Sequence, residues 1–189
     1  MKIKLNEIYA QLEAWRAERK ITAESQKESF LINIMEEFGE LSQALRGLEI
    51  ESVCKTAEHE IIDALCDIAA FTINAAADIP SSVKRTEIEF KKSSLNADYI
   101  LKQLVEKCAE FSYFEWVEPL TFNIILINCA YLCEHYGYNF ELAMLETIKE
   151  ISSRTGSYDE KAKKWVKDTS LEAKAKWYQA DYELARIEK

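Results

Sequence analysis

Glycine and proline are scarce, with four Gly and two Pro in 189 residues. Tight hairpins and glycine-rich phosphate loops consume both residues, so their shortage disfavours a sheet-built fold and leaves an all-α chain as the expectation. No apolar run approaches the ~20 residues of a transmembrane helix, and MKIKLNEIYA does not read as a signal peptide. No membrane partner is therefore expected, and the expected location is cytoplasmic. Histidine occurs only at His59 and His135, and the five cysteines, Cys54, Cys66, Cys108, Cys129 and Cys133, lack paired CxxC spacing. A zinc centre is disfavoured, and the cysteines read as buried thiols of a reducing compartment. Positive charge is also in deficit, 24 Lys and Arg against 33 Asp and Glu for a net charge of -9. That balance repels a nucleic-acid backbone, so no nucleic-acid partner is expected.

What remains is 48% hydrophobic and 30% charged, enough for one domain with a sizeable core. Leu5, Ile8, Leu12 and Trp15 share a helix face and predict a helix over 5–19. Ser25 and Glu28 form a capping-box pattern that opens a helix running to about Gly47. Ser52 is placed to cap a third helix ending before Pro80, and the two form an antiparallel hairpin. The pattern weakens over 81–118, with a helix around ADYILKQLVEKCAEF. Pro119 suits the first turn of a helix so apolar that it belongs in the core. Asn139 caps the next helix, Gly156 terminates it, and Thr169 with Glu172 opens a last one reaching the C-terminus.

The chemistry lies on helices two and three. Glu37 and Glu40 are three residues apart, as are Glu60 and Asp63, and Asp67 follows one turn later. Each set projects from one side of its helix. If the hairpin brings them together, two carboxylates ~4 Å apart repel by ~4 kcal/mol at an effective dielectric of ~20, and a cation must offset this. Oxygen donors select magnesium, with manganese as the alternative. A di-iron centre would need Glu-x-x-His pairs, which neither histidine supplies. Solvated helix faces carry acids at this spacing too, and Glu36, Glu58 and His59 are assigned to that ordinary class.

The run Glu36-Glu37-Phe38-Gly39-Glu40-Leu41, followed by Glu60-Ile61-Ile62-Asp63, resembles the ExxE and ExxD signature of the MazG-like all-α nucleoside triphosphate pyrophosphohydrolases. That superfamily includes the dCTP pyrophosphatases, the dimeric dUTPases and phosphoribosyl-ATP pyrophosphohydrolase. The resemblance covers about residues 8–78 and, more thinly, 137–156. It implies an antiparallel helical bundle over 1–156, from which this chain departs by inserting a helical segment at about 80–136 and by adding a helical extension over 157–189. It further implies that Glu37, Glu40, Glu60 and Asp63 bind magnesium and are the catalytic acids, with Asp67 as an extra ligand or water-orienting group. The substrate would be a nucleoside triphosphate, and a deoxynucleotide is expected, cut to monophosphate and pyrophosphate. Lys149 and Arg154 match the family's phosphate-contacting cations. Self-association into a homodimer or higher assembly is likewise implied. Asn33, one turn before Glu37, is a candidate contact to base or sugar. Trp15, Phe38, Phe71 and Asn74 are candidates for a base pocket. Lys163, Lys164, Trp165 and Lys167 are placed to cover a nucleotide, although packing suffices to account for Trp165 and Trp177. Two other outcomes stay open: a dUTPase-type hydrolase that also accepts diphosphates, and a helical interaction module whose acids bind a cation for structure alone.

Overall fold

The third helix, α3 (Cys54–Ala75), is the axis of the molecule. It runs against α2 (Ala23–Gly47) as a long hairpin and also touches α1 (Asn6–Glu18), α5 (Pro119–His135) and α6 (Phe140–Ser153). The computed structural model describes residues 2–49, 54–89, 96–113, 119–161 and 164–188. Ser52, assigned as the cap of the third helix, lies outside them.

Burial explains the axial position of α3. Ile61, Ile62, Leu65, Cys66, Ile68 and Ala69 are all within 1% of complete burial, which leaves only its acidic row and its cavity side facing outward. The cross-over to α2 is tight where Gly47 meets Ala57, since a Cβ on Gly47 would lie 3.0 Å from the Ala57 methyl. The helix α5 is buried through Phe122, Ile125, Leu126, Cys129, Ala130 and Cys133, as its apolar sequence predicts. With α4 (Ala97–Phe111) packed on α5, both helices join one continuous core. Cys66, Cys108, Cys129 and Cys133 are free and buried, in accord with the sequence reading. No helix among the described residues is long and apolar enough to cross a membrane.

The structure corrects the expected boundaries in several places. Thr22, not Ser25, caps α2, its hydroxyl accepting from the Ser25 backbone N–H at 3.2 Å. Adjacent hydroxyl residues leave the choice of cap open to the backbone. The chain is mostly helical, but two small sheets interrupt it. In the first, β1 (Lys2–Lys4) pairs antiparallel with β2 (Glu87–Glu89), burying Ile3 against Ile88. The segment after α3 is thus partly strand and is stitched to the N-terminus.

The C-terminal stretch departs furthest from expectation, because it is not a helical extension. Residues Gly156–Asp159 (β3) and Lys164–Lys167 (β4) form a hairpin. Among the described residues after Ser153, only Leu171–Lys174 (α7), capped by Ser170 rather than Thr169, are α-helical, and Tyr182–Ala185 form a 3-10 turn. Gly156 starts β3 because the strands touch there. A Cβ would stand 2.3 Å from the Val166 carbonyl oxygen and 2.9 Å from the Trp165 ring.

Candidate functional site

The helical period places the acids as the spacing requires. On α2, Glu37 is buried at 8% exposure while Glu40, nearly one turn on, stands in solvent. On α3, Glu60 is exposed, and Asp63 and Asp67 are half-buried further along the same face. The protonation of Glu37, Asp63 and Asp67 is perturbed by neighbouring acids, with the Glu40 charge acting on all three. Burial, reinforced by Asp67, Glu40 and Asp63, pushes Glu37 up to about 9. Burial and the Asp63 charge push Asp67 up to about 8, against the opposing pull of Arg154. Burial also raises Asp63, although a hydrogen bond from Tyr182 and the Arg154 charge oppose the shift.

Two cavities meet along this row. One of about 240 Å3 is lined by Glu40, Gln43, Glu60 and Asp63. The other, about 390 Å3, is lined on one side by Trp15, Phe71 and Trp165 and on another by Asn33, Asn74, Arg154, Lys167 and Asp67. Its size falls in the ~300–1,000 Å3 range of small-molecule sites. It combines flat aromatic rings, amides and cations with one end of the acidic row.

Second contacts hold its walls. The Trp15 indole N–H donates to the Ile151 carbonyl at 3.3 Å, tying α1 to α6. Arg16 Nη1 donates to Asn74 Oδ1 at 2.7 Å, which leaves the Asn74 NH2 as the group it can offer a ligand. Arg19, only 3% exposed, stacks 5.3 Å from the ring centres of both Trp15 and Trp165. Its guanidinium donates to the Ser152 carbonyl at 2.9 Å, so Arg19 is committed to building the wall. Arg154 Nη2 donates to Glu150 Oε1 at 2.8 Å, while its buried Nε has no protein partner.

The expected residues therefore divide. Glu37, Glu40, Glu60, Asp63 and Asp67 line one continuous face, and Asn33, Arg154, Trp15, Phe71 and Asn74 border the aromatic cavity. Trp165 and Lys167 also line it, and Trp165 packs against the Arg19 guanidinium there. Lys149 does not: it is exposed and ion-paired with Glu146, away from the cavity. Phe38 faces a separate groove with Leu41, Leu45, Leu101 and Val105. Lys163 lies outside the described residues. His59 hydrogen-bonds Glu183 at 2.8 Å and Glu58 accepts from Arg186 at 3.0 Å, so both serve structure, as assigned.

Sequence reasoning missed Glu150, Arg19 and Tyr182. Glu150 stands four residues before Arg154, a legible ion-pair spacing. Tyr182 carried no signal, since its role depends on how the C-terminal segment folds back.

The donor set suits a hard divalent cation, because every candidate ligand is a carboxylate and the crowded acids resist ionising without a compensating charge. Among the described residues, however, no three acidic, histidine or cysteine side chains are gathered as a ready metal-binding group. Glu40 and Glu60 are the exposed members, and exposed side chains change rotamer rapidly. No family model matches the sequence, no curated protein is similar to it, and no solved structure matches the fold.

Proposed function

We propose that this chain is a magnesium-dependent nucleoside triphosphate pyrophosphohydrolase that cuts between the α and β phosphates. The observation that carries the reading is the position of Asp67. It belongs at once to the acidic row of α2 and α3 and to a cavity walled by tryptophans, amides and Arg154. A nucleotide has matching parts, a flat base and an anionic chain that needs cations beside it.

In this reading Glu37, Glu40, Glu60, Asp63 and Asp67 hold magnesium, or manganese in its place. Held there, such an ion would supply charge neutralisation for the triphosphate and a lowered pKa for bound water. Trp15, Phe71 and Trp165 receive the base, and Asn33 and Asn74 supply directed hydrogen bonds to base or sugar. Arg154, whose Nε has no protein partner, turns a donor to phosphate oxygen while Glu150 anchors its other end. The reaction adds water across the α–β anhydride. One phosphorus–oxygen bond forms to the water oxygen, the bond to the bridging oxygen breaks, and a carboxylate of the row carries the released proton to solvent.

The test is product chromatography with ribo- and deoxynucleoside triphosphates, with magnesium and with chelator. Monophosphate and pyrophosphate, formed only with metal, are expected. No turnover across the panel, or release of diphosphate and phosphate, overturns the reading. Hydrolysis of diphosphates as well would favour the dUTPase-type alternative. The resemblance also implies self-association. Leu31, Ile32 and Met35 are exposed apolar side chains on α2 that a second copy would cover, and sedimentation over a concentration series reads that assembly.

A further inference from the structure

The last described residues fold back over α6 and end against the acidic row. The Tyr178 backbone N–H donates to Ser153 Oγ at 2.8 Å, and its hydroxyl to Glu146 at 2.5 Å. The Ala180 N–H then donates to Glu150 Oε2 at 2.9 Å, and the Asp181 N–H to Glu146 at 3.3 Å. Beyond the turn, the Asn139 N–H donates to the Ala185 carbonyl at 2.7 Å and the Ile187 N–H to the Gly137 carbonyl at 2.8 Å. Arg186 completes this second anchor by donating to Glu58 at 3.0 Å and to the Tyr138 hydroxyl.

Pinned on both sides, Tyr182 is held at 4% exposure between α3 and α6. Its hydroxyl donates to Asp63 Oδ1 at 2.5 Å. It also lies 2.9 Å from Thr147 Oγ1, which in turn donates to the Ala143 carbonyl at 3.1 Å. An ionised carboxylate only accepts, so the single tyrosine proton belongs on Asp63. That bond fixes the direction of the carboxylate and leaves its other lone pairs for a ligand.

We propose that Tyr182 is the positioning residue of the acidic site, fixing the orientation of the Asp63 carboxylate that would face the cation. The inference rests on the metal-dependent reading above and adds that the C-terminal segment tunes how tightly the metal is held. A group that orients a metal ligand typically changes affinity by about 10- to 100-fold when removed. The donor here comes from a part of the chain more than a hundred residues from the ligand.

The experiment measures Mn2+ binding to metal-free protein by the electron paramagnetic resonance of the free ion, which requires no turnover. Tyr182→Phe deletes one oxygen and is expected to weaken binding by about 10- to 100-fold. The Mg2+ concentration for half-maximal hydrolysis should rise in parallel, with kcat at saturating metal little changed. Tyr138→Phe is the comparison, because it loosens the second anchor of the same segment without touching an acid of the row. It should bind Mn2+ as the unaltered protein does. Unchanged binding in Tyr182→Phe, or equal weakening in both variants, overturns the proposal while leaving the hydrolase reading intact. Unaltered protein that binds no Mn2+ overturns both. If circular dichroism shows Tyr182→Phe unfolded, Thr147→Val removes the second partner of the hydroxyl. It should weaken Mn2+ by roughly several-fold, and unchanged binding there overturns the proposal equally.

Discussion

The two ends of the acidic row live in opposite surroundings. Glu40 and Glu60 stand in water, whereas Glu37 and Asp67 are pressed against apolar helix and one another, with carboxyls pushed up to about 9 and about 8. The solvent end is open to the outside of the molecule. At the cavity end, burial and neighbouring carboxylates oppose ionisation. Asp63 sits between them, and the steepest effect is expected there. Asp63→Asn should lower kcat/KM by on the order of 10³, about 4 kcal/mol of transition-state stabilisation. Helicity by circular dichroism should survive, since the amide is isosteric. Hydrolysis within a few-fold of the unaltered protein would break the idea that both ends act on one ion.

Arg154 tests the cavity side from the opposite charge. Its guanidinium is the cation that borders Asp67 while keeping a buried donor unpartnered. Arg154→Ala should raise KM by about 10- to 100-fold, the loss of one or two charge-assisted hydrogen bonds, with a smaller fall in kcat. Arg154→Lys should recover only part of it, because an ammonium cannot bridge Glu150 and a phosphate with a planar fork. A purely structural Arg154 would instead show an unchanged KM and a lowered unfolding temperature.

The cavity end can be read without substrate. A carboxyl raised in the folded state binds its proton over a range where the unfolded chain has released it. Its contribution is therefore fully present below about pH 4 and fades as pH climbs through the folded values of about 8 and about 9. Chelated protein should melt at progressively lower temperature from about pH 6 to about pH 9. Added magnesium should stabilise it most at the alkaline end, where its ligands are already ionised. Asp67→Asn should flatten the chelated profile and raise its alkaline melting temperature, whereas Glu60→Gln, changing a carboxylate already in water, should leave the profile alone. Equal effects of the two substitutions would erase the contrast between the ends.

The hairpin and its acids were legible because both depend on a period of 3.6 residues, which sequence displays directly. The aromatic wall was only half legible. Trp15 and Phe71 follow from their helix faces, but Trp165 reaches the cavity through a hairpin with no Asn-Gly or Asp-Gly turn to announce it. The C-terminal stretch LEAKAKWYQADYELARIEK carries good helix formers, yet only Leu171–Lys174 are α-helical. Beyond them the backbone N–H groups of Tyr178, Ala180 and Asp181 bond to side chains on α6. Tertiary hydrogen bonds override local propensity there, and Tyr182 comes to Asp63 as a result.

Lys149 is the smallest effect and the cleanest control on that lesson. Lys149 and Arg154 are five residues apart, about 140° around a helix, so one face cannot present both. Arg154 stands at the end of α6 and lines the cavity with Asp67, while Lys149 points to solvent and pairs with Glu146. The Lys149 ammonium stands in water, where solvent screens its attraction to Glu146. Glu146 would keep its contacts from Tyr178 and Asp181 after the lysine is gone. Lys149→Ala should therefore leave KM for the triphosphate unchanged and shift the melting temperature by a few degrees at most. A KM rise matching that of Arg154→Ala would place the triphosphate across the outer face of α6 instead of in the tryptophan-walled cavity.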